Sequence, residues 1–320
     1  MLSRVADSLY WTARYLERAE HTVRMIDINQ GLMLDKSRTS TERRWLRVLE
    51  ALGNPKDLTW NGDADELAYA LCFDASNRAS ITGCIISARE NARQVREQIS
   101  TEQWQRLNRL YIEITRPRSN ARSETQVAEF LPAVMDGLNL FQGVTDTTLS
   151  HGEGWQFLQI GRFIERASAS ATLLELYHRD VSGDHEDEID GYEYLEWIGL
   201  LRTCIAFEAY CKVYTAELSY ERILEFLLLD ADFPHSIRYS IDALQKALVA
   251  IEYESHRQPA EELMRLSGRL QASLSYGQIS EILERDAGTY LRRIIEQCMQ
   301  IHRLIYEVYI QYSVQTALAL

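Results

Sequence analysis

The sequence predicts an all-α protein built from two copies of a six-helix unit. Three observations carry that expectation. First, proline occurs only at Pro55, Pro117, Pro132, Pro234 and Pro259, and between them long apolar side chains recur at helical rather than alternating spacing. Second, hydrophobic residues make up 46% of the 320 and charged residues 25%, the proportions of a chain that buries a real core. Third, the chain matches itself at a slowly growing offset. Arg14-Tyr15-Leu16-Glu17-Arg18-Ala19 aligns with Arg162-Phe163-Ile164-Glu165-Arg166-Ala167 at an offset of 148, and Trp45 aligns with Trp197 at 152. Asp74-Ala75 and Ser80-Ile81 then align with Asp230-Ala231 and Ser236-Ile237 at 156, and Arg106-Leu107 with Arg265-Leu266 at 159. Ordered drift of this kind reads as loop insertions within two copies of one unit. Residues 1–150 and 151–320 are therefore expected to be two helical repeats, packed as one pseudo-twofold bundle with the two Glu-Arg helices at its axis.

The elements follow in order. Helices are expected over about Ser3 to Leu34, which carries the first Glu-Arg run, and Thr41 to Leu52, closed by the turn-forming Gly53-Asn54-Pro55-Lys56-Asp57. Next come Ala64 to Phe73, Ala79 to Ile99, Thr101 to Ile114, ended by Arg116-Pro117-Arg118-Ser119-Asn120, and Glu124 to Phe141. The second half repeats the plan. Its helices run over Glu153 to Tyr177, which carries the second Glu-Arg run, then, after the charged connector Ser182 to Asp187, Glu188 to Tyr214. Tyr220 to Leu229, His235 to Tyr253, Ala260 to Leu274 and Ala287 to Tyr312 complete the twelve.

Composition excludes several functional classes. A net charge of −13 argues against non-specific attraction to nucleic acid or to an anionic membrane surface. All the cations except Lys36, Lys56, Lys212 and Lys246 are arginine, the residue best suited to bidentate pairing with carboxylate or phosphate. Cys72, Cys84, Cys204, Cys211 and Cys298 are odd in number and lack Cys-x-x-Cys spacing, so they read as reduced core cysteines. Asp7 precedes any apolar segment of signal-peptide length and no stretch approaches a membrane span, so a cytoplasmic bacterial protein is expected.

The Glu-Arg helices hold the main candidate residues. On the first, Arg14, Glu17, Arg18 and His21 share a side with Asp7, Tyr10, Trp11 and Met25, opposite Val5, Leu16, Ala19, Val23 and Ile26. On the second, Arg162, Glu165 and Arg166 are bracketed by Trp155, Leu158, Leu173 and Leu176, which is not a solvated pattern. Buried arginines at i, i+4 need a carboxylate or a bound anion. Two readings follow. The charges form an inter-repeat salt-bridge lattice that fixes helix register, or the arginines hold a carboxylate or phosphate while Glu17 or Glu165 works as acid or base. Arg89, Arg93 and Arg96 form a second basic stripe, opposed in the second copy by Gln245, Val249 and Glu252, which reads either as a ligand-facing feature or as a solvated face. His151 to Trp155 reads as the cap of the second Glu-Arg helix, and Glu208 as an acid buried to pair with an arginine. No metal site is expected, since Glu175 to His178 is the one Glu-x-x-His spacing and Glu17 with His21 has no counterpart beside Glu165. The chain also lacks a phosphate loop, a dinucleotide-binding glycine motif and a nucleophile elbow.

These motifs together resemble a known family. The opening Met1 to Glu20, Gly161-Arg162-Phe163-Ile164-Glu165-Arg166-Ala167, Ala88-Arg89-Glu90-Asn91-Ala92-Arg93 and Phe226-Leu227-Leu228-Leu229-Asp230 resemble the bacterial alpha-E family, over essentially the whole chain. The resemblance places the family motif on Glu17-Arg18 and Glu165-Arg166. Leu173-Leu174-Glu175 keeps the family's downstream acid without its arginine. Such proteins are encoded beside, or fused to, circularly permuted ATP-grasp ligases and transglutaminase-like peptidases. That company implies a helical subunit of a peptide or amino-acid amide synthesis or modification system, with ATP and Mg handled by the partner ligase. Its Arg14, Arg18, Arg162, Arg166, Arg89 and Arg93 would line a cleft for a carboxylate or phosphorylated intermediate, with Glu17 and Glu165 as catalytic candidates. The alternative is a non-catalytic scaffold that docks the ligase or the peptidase.

Overall fold

The computed structural model describes residues 1–32, 40–116, 124–181, 191–215, 217–255 and 260–311. Among them every regular element is helical: α1 (Ser3–Leu32), α2 (Thr41–Ala51), α3 (Ala64–Phe73), α4 (Ile81–Gln94), α5 (Thr101–Ile114), α6 (Glu124–Thr148) and α7 (Glu153–Val181). The rest are α8 (Gly191–Thr203), α9 (Phe207–Tyr214), α10 (Tyr220–Leu229), α11 (Ile237–Ser255), α12 (Glu261–Ser275), α13 (Ile279–Glu284) and α14 (Ala287–Ile305). A 3₁₀ turn (Arg96–Gln98) follows α4, and one π turn (Tyr306–Ile310) follows α14.

Local chemistry starts many of these helices. Ser40, Asp63, Ser80 and Ser219 accept hydrogen bonds from the first-turn amides of α2, α3, α4 and α10, satisfying donors that have no partner inside the helix. Ser100 and Gln103 complete a reciprocal capping box at α5.

Helices α1 and α7 pack against each other at the centre, with α4 and α8 beside α1 and α11 and α14 beside α7. Helix α1 is consequently buried on nearly every side, from Leu9, Leu16 and Ile26 round to Tyr10, Glu17 and Glu20. Gly161 permits the contact. A Cβ there would stand 2.3 Å from the Tyr10 carbonyl oxygen, so a side chain would push the two backbones apart directly beside Arg162. Trp45 and Trp197, the pair matched in the sequence, are both fully buried.

The loops matched in the sequence also share their hydrogen bonds. Ser80 Oγ donates to the Asp74 carbonyl at 2.5 Å and accepts from Gly83 N, and Ser236 Oγ donates to the Asp230 carbonyl at 2.5 Å and accepts from Tyr239 N. Asp74 Oδ1 accepts from Ser76 N as Asp230 Oδ1 does from Asp232 N.

Several boundaries differ from expectation. The helix expected from Glu188 to Tyr214 is broken after Thr203, where Ile205 takes φ 53° and separates α8 from α9. Its first residues, like the connector Ser182 to Asp187, lie outside the described residues, as do Leu34 and Tyr312. Helix α13 was not expected at all, while α6 continues beyond Phe141 to Thr148. Glu208 is exposed on the first turn of α9 rather than buried, so it is no core partner. All five cysteines are free, and Cys211 alone is partly exposed. No described helix is long and apolar enough to cross a membrane.

Candidate functional site

Two helices carrying the same Glu-Arg run lie face to face at the centre, and each supplies the carboxylate for the other's arginines. Glu165 of α7 accepts Arg14 Nε at 2.6 Å on Oε2 and Arg18 Nε at 2.7 Å on Oε1. Glu17 of α1 takes Arg166 in a fork, from Nε at 2.5 Å and Nη2 at 2.9 Å, with Arg162 Nε at 3.7 Å. The pairing is reciprocal but unequal: Glu165 is clamped by two arginines, whereas Glu17 is held tightly by one.

Burial sets the electrostatics. The Glu17 and Glu165 side chains are 4% and 10% exposed, which by itself favours their neutral forms. The guanidiniums outweigh that cost. Arg166 and Arg162 hold Glu17 below the ordinary carboxylate range, and Arg14 and Arg18 hold Glu165 down to about 2. Burial also opposes the charge on Arg14, yet Glu165 raises its pKa. Arg162 goes the other way. Burial and then the neighbouring Arg166 lower its pKa, and its Nε donates no hydrogen bond among the described residues. A gap of about 30 Å³ adjoins Glu17 and Arg162, between Phe141, Thr145 and Leu158, which is room for about one water.

An aromatic network braces one end. Arg14 lies over the Trp11 ring at 4.7 Å and donates to Tyr10 Oη at 3.3 Å, which in turn is 2.7 Å from His302 Nδ1. Tyr306 Oη accepts from Trp11 Nε1 at 2.9 Å and donates to Asp7 at 2.8 Å. Burial and then Arg14 push His302 down to about 4, so it is neutral here.

Arg89 and Arg93 belong elsewhere. Arg89 donates to Asn108 Oδ1 at 2.9 Å and lies over the Tyr111 and Trp104 rings at 4.2 and 5.3 Å. Arg93 pairs with Glu90 one turn earlier at 2.6 Å, on an exposed face. They look toward α5 and solvent respectively, and neither bonds to Glu17 or Glu165. His151 stacks on Trp155 at 4.2 Å, at the start of α7.

A second buried ion cluster escaped sequence reasoning. Glu196 of α8 accepts Arg44 at 2.8 Å and Arg47 at 2.8 Å, and Asp180 of α7 accepts Arg47 Nε at 2.8 Å and also pairs with Arg43. Arg44 further donates to the Leu32 carbonyl at 2.6 Å, tying α2 to the end of α1. One signal was available: Arg44 and Glu196 each precede a matched tryptophan, Trp45 and Trp197. Among the described residues no group of three or more His, Cys, Asp or Glu is placed to hold a metal ion.

This geometry gives the comparison with known proteins its meaning. The family model for Alpha-E, described as a predicted alpha-helical domain with a conserved ER motif, matches residues 1–310. The chain belongs to the Alpha-E family. The two Glu-Arg runs of this Alpha-E chain are the reciprocal pairs just described. It is similar to uncharacterised proteins from Mycobacterium bovis and Mycobacterium tuberculosis, at 24% identity over 325 residues, covering 95% of this chain and 36% of each relative. A further M. tuberculosis protein matches at 23% over the same span. The Alpha-E chain thus spans about a third of the length of these relatives, and no solved structure matches it.

Proposed function

We propose that this Alpha-E chain is the helical docking subunit of an ATP-grasp-linked peptide or amino-acid amide system, with the ATP chemistry on the partner. The observation that carries this reading is the mutual pairing of the six central charges. Both carboxylates are occupied by arginines of the opposite helix, and the adjoining gap of about 30 Å³ admits no metabolite. Ion pairs of this kind specify how helices meet and leave no group poised for chemistry. The curated relatives support a modular role, since most of their length lies outside the match, as it does in a protein that joins such a domain to others.

The test is reconstitution with the adjacent or fused circularly permuted ATP-grasp protein. ADP release and amide product are measured for each protein alone and for the mixture, alongside complex formation by light scattering. The proposal expects a stable complex, an inert Alpha-E chain, and a partner whose activity depends on it. Absence of a complex, or product from the Alpha-E chain alone, would contradict it.

A second reading rests on Arg162, whose Nε makes no hydrogen bond among the described residues and borders the gap beside Glu17. In that reading the helices part at the gap to admit a carboxylate-bearing intermediate to Arg162, and Arg162→Met abolishes product while the complex with the ligase still forms.

A further inference from the structure

On the outside of the second half, α12 and α14 enclose an open groove of about 420 Å³. The helices run antiparallel, since Tyr290 near the start of α14 donates to the Ser273 carbonyl near the end of α12 at 3.3 Å. Leu266 and Leu304 form the floor, only partly buried and packed on the core from outside. Arg265 and Arg269, one turn apart on α12, and Arg303 on α14 rise around it, all three exposed.

These arginines are left over although partners lie within helical reach. Glu262 precedes Arg265 by three residues and Glu307 follows Arg303 by four, the spacings at which Glu90 pairs with Arg93 and Arg238 with Asp242. Among the described residues none of these five charges in the groove makes an ion pair or a hydrogen bond. In a chain of net charge −13, three unpaired guanidiniums over an apolar floor form a local basic surface.

The first half has no such surface at the matching place. The buried faces of α5 and α6 keep step with those of α12 and α14 at an offset of 160, Leu107 with Ser267 and Leu110 with Leu270, Leu138 with Cys298 and Phe141 with Ile301. At that offset Gln105 stands for Arg265, Arg106 for Leu266 and Gly143 for Arg303, while Arg109 alone keeps the charge of Arg269. Packing of α12 on α14 needs none of these outward residues, so the difference lies in what the groove meets.

We propose that this groove docks an acidic amphipathic helix of the partner protein. Its apolar stripe would lie on Leu266 and Leu304 and its carboxylates against Arg265, Arg269 and Arg303, the way a third helix closes the seam between two others. Charge complementarity selects acid, and the leucine floor selects an amphipathic segment over a small phosphate compound, which would leave that floor uncovered. Nucleic acid fits less well, because Glu262 and Glu307 stand together at one end of the groove. The inference rests on the docking reading for the existence of a partner and adds where, and by what, that partner is held.

The test titrates the full chain into a labelled synthetic helix of about 18 residues, with leucine at i, i+3, i+4 and i+7 flanked by glutamate, read by fluorescence anisotropy. The same residues in scrambled order, the double variant Arg265→Glu/Arg269→Glu, and Arg109→Glu on α5 are the controls. The striped helix is expected to bind, with scrambling or the double variant weakening it about tenfold or more, Arg109→Glu leaving it unchanged, and every variant matching the parent in circular dichroism. Should the double variant fail to fold, Arg303→Gln supplies the same comparison from α14. The proposal is overturned if the striped helix does not bind, if the scrambled peptide binds equally well, or if the variants bind as the parent does. It is equally overturned if pyrophosphate displaces the helix from the parent, or if light scattering shows a parent dimer that the double variant dissociates, which would give the groove to a small phosphate or to a second copy. The double variant is also carried into the reconstitution with the ATP-grasp protein. A complex that survives it overturns the groove and leaves the docking reading standing, whereas no complex with the parent chain overturns the docking reading and with it the partner assigned here.

Discussion

Arg14 and Arg166 are the residues whose partners matter most, because each places a guanidinium against a carboxylate with almost no access to water. Removing one member of such a pair leaves the other charged and buried. Glu165→Gln strands both Arg14 and Arg18 and is expected to lower unfolding stability by about 3 kcal/mol or more, read by urea denaturation. Arg162 is the exception. Its pKa is lowered and its Nε stands 3.7 Å from Glu17 without a hydrogen bond among the described residues, so Arg162→Met is expected to cost less than about 1 kcal/mol or to stabilise. Equal losses for the two variants would mean that the inequality between Glu17 and Glu165 has no energetic weight. The identity of all six central residues was legible in the sequence, from charge placed between apolar residues in two matching runs. Which glutamate serves which arginine was not, because local and cross-helix pairing satisfy the same spacing. His302 was illegible for a related reason, since it reaches Arg14 and Tyr10 from a helix 288 residues further along the chain.

At the scale of the helix, close approach of α1 and α7 decides the site. Gly161→Ala would drive a methyl group into the Tyr10 carbonyl, and is expected to destabilise by about 1–3 kcal/mol through the shift of α7 against α1. Gly143, on α6, has nothing within 4 Å of the corresponding position, so Gly143→Ala is expected to stabilise by about 0.5–1 kcal/mol. The pair separates contact from propensity in one thermal-melt experiment. If both variants gain stability, the α1–α7 approach is looser than described. Helical periodicity found most elements because amphipathic spacing and serine or aspartate caps agree with one another along the chain. It failed at Ile205, where a β-branched residue takes a left-handed conformation that no propensity announces, and at α13, whose six residues are too few for a periodic signal. Arg89, Arg93 and the central Glu-Arg cluster were joined in the sequence by charge alone. The fold separates them because α4 turns Arg89 toward Trp104 and Tyr111 of α5 and leaves Arg93 on an exposed face beside Glu90.

For the whole molecule, buried ionisable groups set the response to acid. His21 and His302 are each held down to about 4, chiefly by burial, and His235 lies well below its ordinary value. Unfolded histidine titrates near about 6.5, so below that pH the unfolded chain binds more protons and stability falls as the pH falls through about 4. Glu165, held to about 2 by its arginines against the pull of burial, adds a second loss below the usual carboxylate value near about 4.3. The melting temperature is therefore expected to be flat from pH 8 to 7, to decline below about 6.5, and to fall more steeply below about 4.5. His302→Gln should flatten the first decline, and an unchanged profile would remove His302 from it. The central claim is that the Glu-Arg pairs lock α1 to α7 and are closed to ligands, and a double-mutant cycle on Glu17→Gln and Arg166→Met tests it most directly. A coupling energy of about 2 kcal/mol or more is expected, with the double variant at least as stable as either single one. Coupling near zero, with both single variants as stable as the parent, would contradict it.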